Sequence, residues 1–106
     1  MKHLVVVLTE TSQDREKEYN EYYEDIHLDE VIETTGWKTA QRFKLGAQSG
    51  QDCPLPYLAI YEAQADSSQE VLDKLEKTRS LRRQSSSLNR ETAAVWVFEE
   101  IGSEHT

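Results

Sequence analysis

The apolar residues of this 106-residue chain fall into six runs, ordered strand, helix, strand, strand, helix, strand. Leu4 to Leu8 is continuously apolar and rich in β-branched residues, which reads as a central strand buried on both faces. Thr11 and Ser12 offer N-cap oxygens to the charged helix that follows. Within it, Tyr19, Tyr22, Tyr23 and Ile26 stand at i, i+3, i+4 and i+7, the spacing of one buried face. Leu28, Val31 and Ile32 form a second apolar set. At about 100° per residue its centre lies nearly opposite the first. A straight helix cannot lay both sets on one sheet, so a bend or restart is expected near Asp25-Ile26-His27, with Gly36 ending the segment.

Trp37 to Leu45 alternates, with Trp37, Thr39, Gln41, Phe43 and Leu45 on one side and Lys38, Ala40, Arg42 and Lys44 on the other. Residues 46–56 hold both prolines and two glycines and read as a loop. Tyr57 to Ala65 is a third strand, with Leu58 and Ile60 facing away from Tyr57, Ala59 and Tyr61. Ser67-Ser68-Gln69-Glu70 has the form of a capping box. The helix it opens places Val71, Leu72, Leu75, Thr78 and Arg79 on its inner side and ends at Ser85-Ser86-Ser87. Thr92 to Ile101 is the last strand. The order is βαββαβ, which predicts an α+β, ferredoxin-like domain over residues 1–102, followed by a flexible tail over 103–106. Two helices cover one face of a four-stranded antiparallel sheet. The other face carries large side chains, and pairing of two sheets into a dimeric α+β barrel, a homodimer, is the economical way to bury it.

The net charge of −8 argues against binding to a nucleic-acid backbone, which needs clustered Lys and Arg. The apolar start is too short for a signal sequence or a membrane span. The lone Cys53 permits no internal disulfide and fits a reducing, cytoplasmic setting; its loop gives it no further role. Charge is unevenly spread. Residues 10–33 hold ten acids and two bases, whereas residues 74–90 hold six bases and one acid. The preferred reading is two solvated helix faces; the alternative is a basic rim that steers an anionic substrate.

The segment Tyr19 to Val31 gathers three phenols, a histidine and several carboxylates at the expected helix break. Tyr22-Tyr23, Asp25, His27-Leu28 with Glu30-Val31, then Gly36, Thr39-Ala40-Gln41-Arg42-Phe43 and Tyr57-Leu58-Ala59-Ile60-Tyr61-Glu62 resemble the EthD-like family of dimeric α+β barrels. That family usually has Pro where this chain has Asp29. The resemblance implies a pocket between sheet and helices that takes small aromatic or polyketide-like molecules. It also implies a range of chemistries: polyketide cyclisation, decarboxylation, dehydration and cofactor-free oxygenation. Fold alone does not choose among them.

The residues themselves suit proton transfer. His27 titrates near neutrality and can act first as base and then as acid. Asp25 or Glu24 can orient its ring, and Tyr19, Tyr23 or Arg42 can stabilise an enolate oxygen. The catalytic set expected from sequence is His27, Asp25 and Tyr23, with Tyr19, Arg42, His3 and Trp37 as substrate-binding candidates. His3 opens the first strand and is expected to be exposed there, and strand aromatics such as Trp37 usually pack the core or the dimer interface. His27 with Glu30 supplies only two metal ligands, and no phosphate loop, dinucleotide fingerprint or serine elbow is present. The expected function is a cofactor-independent lyase or cyclase. The alternatives are a cofactor-free monooxygenase acting on a phenol and a non-enzymatic dimeric binding protein.

Overall fold

The computed structural model describes residues 1–106. Strand β1 spans Lys2–Thr9, helix α1 Glu16–Tyr22 and helix α2 Leu28–Thr35, with a π-helical turn, Tyr23–His27, joining the two helices. Then come β2 (Thr39–Lys44), β3 (Tyr57–Gln64), α3 (Ser68–Thr78), a 3₁₀ turn (Arg79–Leu81) and β4 (Ala94–Glu99). The sheet order is β2-β3-β1-β4 and every neighbouring pair is antiparallel. This is an α+β fold compatible with the ferredoxin-like arrangement.

Strand periodicity divides the sheet into two unlike faces. His3, Val5, Val7 and Thr9 of β1 share the helix side with Tyr57, Ala59, Tyr61 and Ala63 of β3, and the buried core lies there. Ala59 and Ala63 alternate with tyrosines, which leaves room for rings arriving from outside the sheet. Tyr19 of α1 packs 5.1 Å from Tyr57, and Trp37 packs 5.7 Å from Tyr61, between ring centroids. On the opposite face the register aligns Leu4 with Phe98, Val6 with Ile60 and Trp96, and Phe43 with Leu58. The chain seals this face at Leu8, which is 5% exposed, and leaves much of the rest open. Leu4 is 39% exposed, Phe43 and Trp96 45% each and Phe98 55%. Strand β1 is therefore largely buried on its helix side and, within a single chain, buried on the other side only at Leu8.

The helical segment runs on without a break. Tyr22, Tyr23, His27 and Leu28 all keep right-handed helical dihedrals, and the Leu28 N–H bonds to the Tyr23 carbonyl five residues back. A π turn takes up one extra residue, so everything after it rotates by about 100° relative to an unbroken α-helix. That removes roughly 100° of the half-turn mismatch between the two apolar sets. Leu28 and Val31 become buried with Tyr19, Tyr22 and Tyr23, while Ile32 stays half-buried. Gly36 ends α2 in the left-handed region at φ 76°, where a side chain would be strained.

Four further expectations need correction. Thr11 and Ser12 do not cap α1, which starts at Glu16 without a side-chain cap. Their hydroxyls instead donate to the Ser87 and Ser86 carbonyls, at 3.2 and 2.8 Å, and tie the first loop to the segment before β4. Helix α3 ends at Thr78, well before Ser85. The inner basic residue of that region is Arg82, which is buried, whereas Arg79 is exposed. The cap of α3 is as expected at Ser67, whose Oγ accepts from the Glu70 N–H at 3.2 Å. The Glu70 carboxylate, however, reaches the Asp66 N–H rather than that of Ser67.

Candidate functional site

The π turn builds the site. In a regular α-helix, residues five apart point roughly 140° away from each other. The π turn brings Tyr22 and His27 together, with rings stacked at 5.1 Å and the Tyr22 hydroxyl 3.0 Å from His27 Nδ1. The same hydroxyl lies 2.8 Å from the Arg83 carbonyl oxygen. A carbonyl only accepts, so the single phenolic hydrogen goes to Arg83, and Nδ1 must donate its hydrogen to the tyrosine oxygen. This network assigns the tautomer: His27 carries its proton on Nδ1, and Nε2 keeps a free lone pair with no partner in the protein. Arg83 is itself clamped, because its backbone N–H and Nε–H donate to Glu30 at 2.9 and 3.1 Å. Glu30, Arg83, Tyr22 and His27 thus form one chain of contacts between α2 and the segment that follows α3.

His27 lines a cavity of 240 Å³ between the sheet, the π turn and the end of α3. Val7, Tyr23, Val31, Tyr61, Leu75 and Val95 supply its apolar wall, and Arg79, Arg82 and Arg90 its basic side. The Tyr23 ring meets His27 edge-on at 4.8 Å. Burial, reinforced by the Arg82 and Arg90 cations and opposed by Glu30, pushes His27 down to about 4. The imidazole is therefore neutral at physiological pH. Burial likewise raises Tyr22, which keeps its phenol protonated and able to hold the Arg83 carbonyl.

The structure gathers only part of the set expected from sequence. His27 and Tyr23 line the cavity together. Asp25 is exposed and makes no side-chain hydrogen bond or ion pair, and the partner of the His27 ring is Tyr22. Glu24 pairs with Arg42 at 3.6 Å instead of with His27. Arg42 donates to Asn20 Oδ1 at 2.8 Å and lies over the rings of Tyr19, Tyr23 and Tyr57, outside the cavity. The Tyr19 hydroxyl is committed to Thr9. Trp37 is buried in the core and borders a different groove of 610 Å³, which holds no histidine. His3 is fully buried rather than exposed, because position 3 falls on the helix side of the central strand. Its Nδ1 bonds to the Met1 carbonyl at 3.1 Å, and its Nε2 is enclosed without a partner. It lies four strand residues, about 13 Å, from the cavity-lining Val7.

Sequence reasoning missed Tyr22 as the histidine's partner and missed Arg79, Arg82 and Arg90 as its surroundings. The i, i+5 spacing of Tyr22 and His27 across the phase change was the available signal for the first. The basic run 74–90 marks the arginines as a candidate rim, but nothing local connects them to His27, over 50 residues away. No group of three or more His, Cys, Asp or Glu side chains is placed to hold a metal ion, and no helix is long and apolar enough to cross a membrane. Comparison with family models, with curated proteins and with solved structures gives no match to this chain.

Proposed function

We propose that this protein is a cofactor-independent lyase or cyclase that moves a proton on a small aromatic or polyketide-like carbonyl compound, with His27 as the base. The observation that carries the reading is the bond from His27 Nδ1 to a tyrosine oxygen already committed to the Arg83 carbonyl. It leaves a neutral ring with its Nε2 lone pair available in a half-open site with an apolar wall. In the proposed step, Nε2 takes the proton from a carbon next to a substrate carbonyl. The electron pair moves onto the carbonyl oxygen, and a neighbouring guanidinium meets the developing charge. The imidazolium formed is stabilised by that enolate and returns the proton to the rearranged product. Tyr22 and the clamped Arg83 hold the ring's orientation throughout. The resemblance to the EthD-like barrels agrees with this chemistry and with the substrate class. We further propose that the uncovered apolar sheet face is buried against a second copy of the chain.

The reading is tested with ethyl benzoylacetate, a neutral aromatic β-keto ester, in deuterated buffer. The wild-type chain is expected to speed exchange of the α-protons above background, and His27→Gln to lose about 100-fold of that rate or more. Equal exchange in both proteins would overturn the role of His27.

A further inference from the structure

Arg82 is a buried cation without an anion. It is 7% exposed, and none of the ion pairs in the chain includes it. Its Nη1 donates to Thr34 Oγ1 at 3.0 Å and to Thr78 Oγ1 at 2.7 Å, and its Nη2 donates to the Leu75 carbonyl at 2.9 Å. All three acceptors are neutral. Of the five N–H donors of a guanidinium, these bonds leave Nε–H and one Nη2–H free. Nε–H and Nη2 share the side of the plane that grips a carboxylate with two parallel bonds. The Nε–H is not sealed away, because the only enclosed side-chain polar atom without a partner is His3 Nε2. Arg82 borders both the His27 cavity and an adjoining open groove lined entirely by polar side chains.

The surroundings reinforce the positive charge. Arg79 and Arg90 line both spaces, and the Arg90 guanidinium is held by Gln84, a neutral partner. Arg79 makes no side-chain hydrogen bond or ion pair. The acids facing this region are Glu76, which borders the same two spaces, and Glu30, which is already paired with Arg83. Desolvating a guanidinium without a counter-ion is costly, and a bound anion removes that cost.

We infer that the molecule bound here is an aromatic or similarly apolar carboxylic acid, its carboxylate on the free edge of Arg82 with Arg79 and Arg90 at the mouth and its apolar body in the cavity beside His27. The inference deepens the proton-transfer reading and rests on it for the identity of the site. A single guanidinium edge and a cavity of 240 Å³ suit one two-oxygen group on a small body. Three of the six basic residues of 74–90, Arg79, Arg82 and Arg90, thus serve this site.

The test uses benzoate and benzyl alcohol, which differ in the anion, titrated into the full chain while the His27 ring protons are followed by NMR. Benzoate is expected to saturate and to bind about 10-fold or more tightly than the alcohol. Arg82→Gln is expected to lose about 10-fold in benzoate affinity while the alcohol is unaffected. If circular dichroism shows that Arg82→Gln does not fold, Arg79→Gln/Arg90→Gln changes only exposed side chains and is expected to weaken benzoate about 3-fold or more. Benzoate no tighter than the alcohol, no binding of either, or indifference of benzoate to these variants would overturn the inference. Benzoate has no α-proton, so its binding is independent of turnover. Selective benzoate binding without exchange of ethyl benzoylacetate keeps the carboxylate site and removes the enzymatic reading; exchange without selectivity does the reverse.

Discussion

His27 sits where burial and two guanidinium groups all disfavour its charged form, and its folded-state value of about 4 lies below the usual 6.5. The sign of the consequence follows from proton counts. Between those pH values the unfolded chain holds a proton that the folded chain does not. Neutral His27 therefore adds stability in full above pH 6.5, and that stability drains away as pH falls toward 4. A ring that is only partly sealed from water brings this to about 2 kcal/mol. Urea unfolding at pH 7 and pH 4 should therefore show a drop about 2 kcal/mol smaller in His27→Gln than in wild type. Equal drops in the two proteins would mean that the ring titrates normally. Glu30 is also held low, by the Arg83 N–H groups acting against its own desolvation. Its contribution is lost in the same direction as pH falls and is shared by both proteins, apart from its own coupling to His27.

The elements differ in how far they could be read from the chain. All four strands were legible, since period-2 alternation and β-branched runs depend on local pattern alone. Strand β4, expected over Thr92 to Ile101, spans Ala94–Glu99, and its ladder with β1 runs from Ala94 opposite Leu8 to Glu99 opposite His3. The two apolar sets of the first helical segment show that its phase must change near Asp25-Ile26-His27. They do not show how, because a kink and a π turn both absorb such a mismatch. That choice decides the site: the π turn brings Tyr22 under His27, and a kink would have left Asp25 or Glu24 as candidates. Ser67 was legible as a cap because its partner Glu70 is three residues away. Thr11 and Ser12 were not, because Ser86 and Ser87 compete for their hydroxyls from the far end of the chain. Arg82 was invisible for the same reason: its acceptors Thr34, Thr78 and Leu75 come from two helices that only the tertiary fold brings together.

At the scale of the whole molecule, the sheet is covered on one side and open on the other. Leu4, Phe43, Trp96 and Phe98 form a continuous apolar surface with Val6, Leu58 and Ile60. Surfaces of this kind are covered in solution. The proposed second copy predicts sedimentation at twice the 12.3 kDa chain mass. Trp96→Asp/Phe98→Asp should shift that dimer to monomer, with a dissociation constant raised about 100-fold or more; a wild-type chain that sediments as a monomer at micromolar concentration would rule the dimer out. On the other side, the sheet, the helical segment with its π turn and the chain between α3 and β4 converge on one imidazole ring. The proposed chemistry depends on the state of that ring. The most direct measurement is a pH titration of His27 by ¹⁵N-resolved NMR in the wild-type chain. The predicted result is a neutral ring protonated at Nδ1 and bare at Nε2 through the neutral range, taking its second proton only near pH 4. A proton on Nε2 at neutral pH, or a midpoint near 6.5, would contradict it.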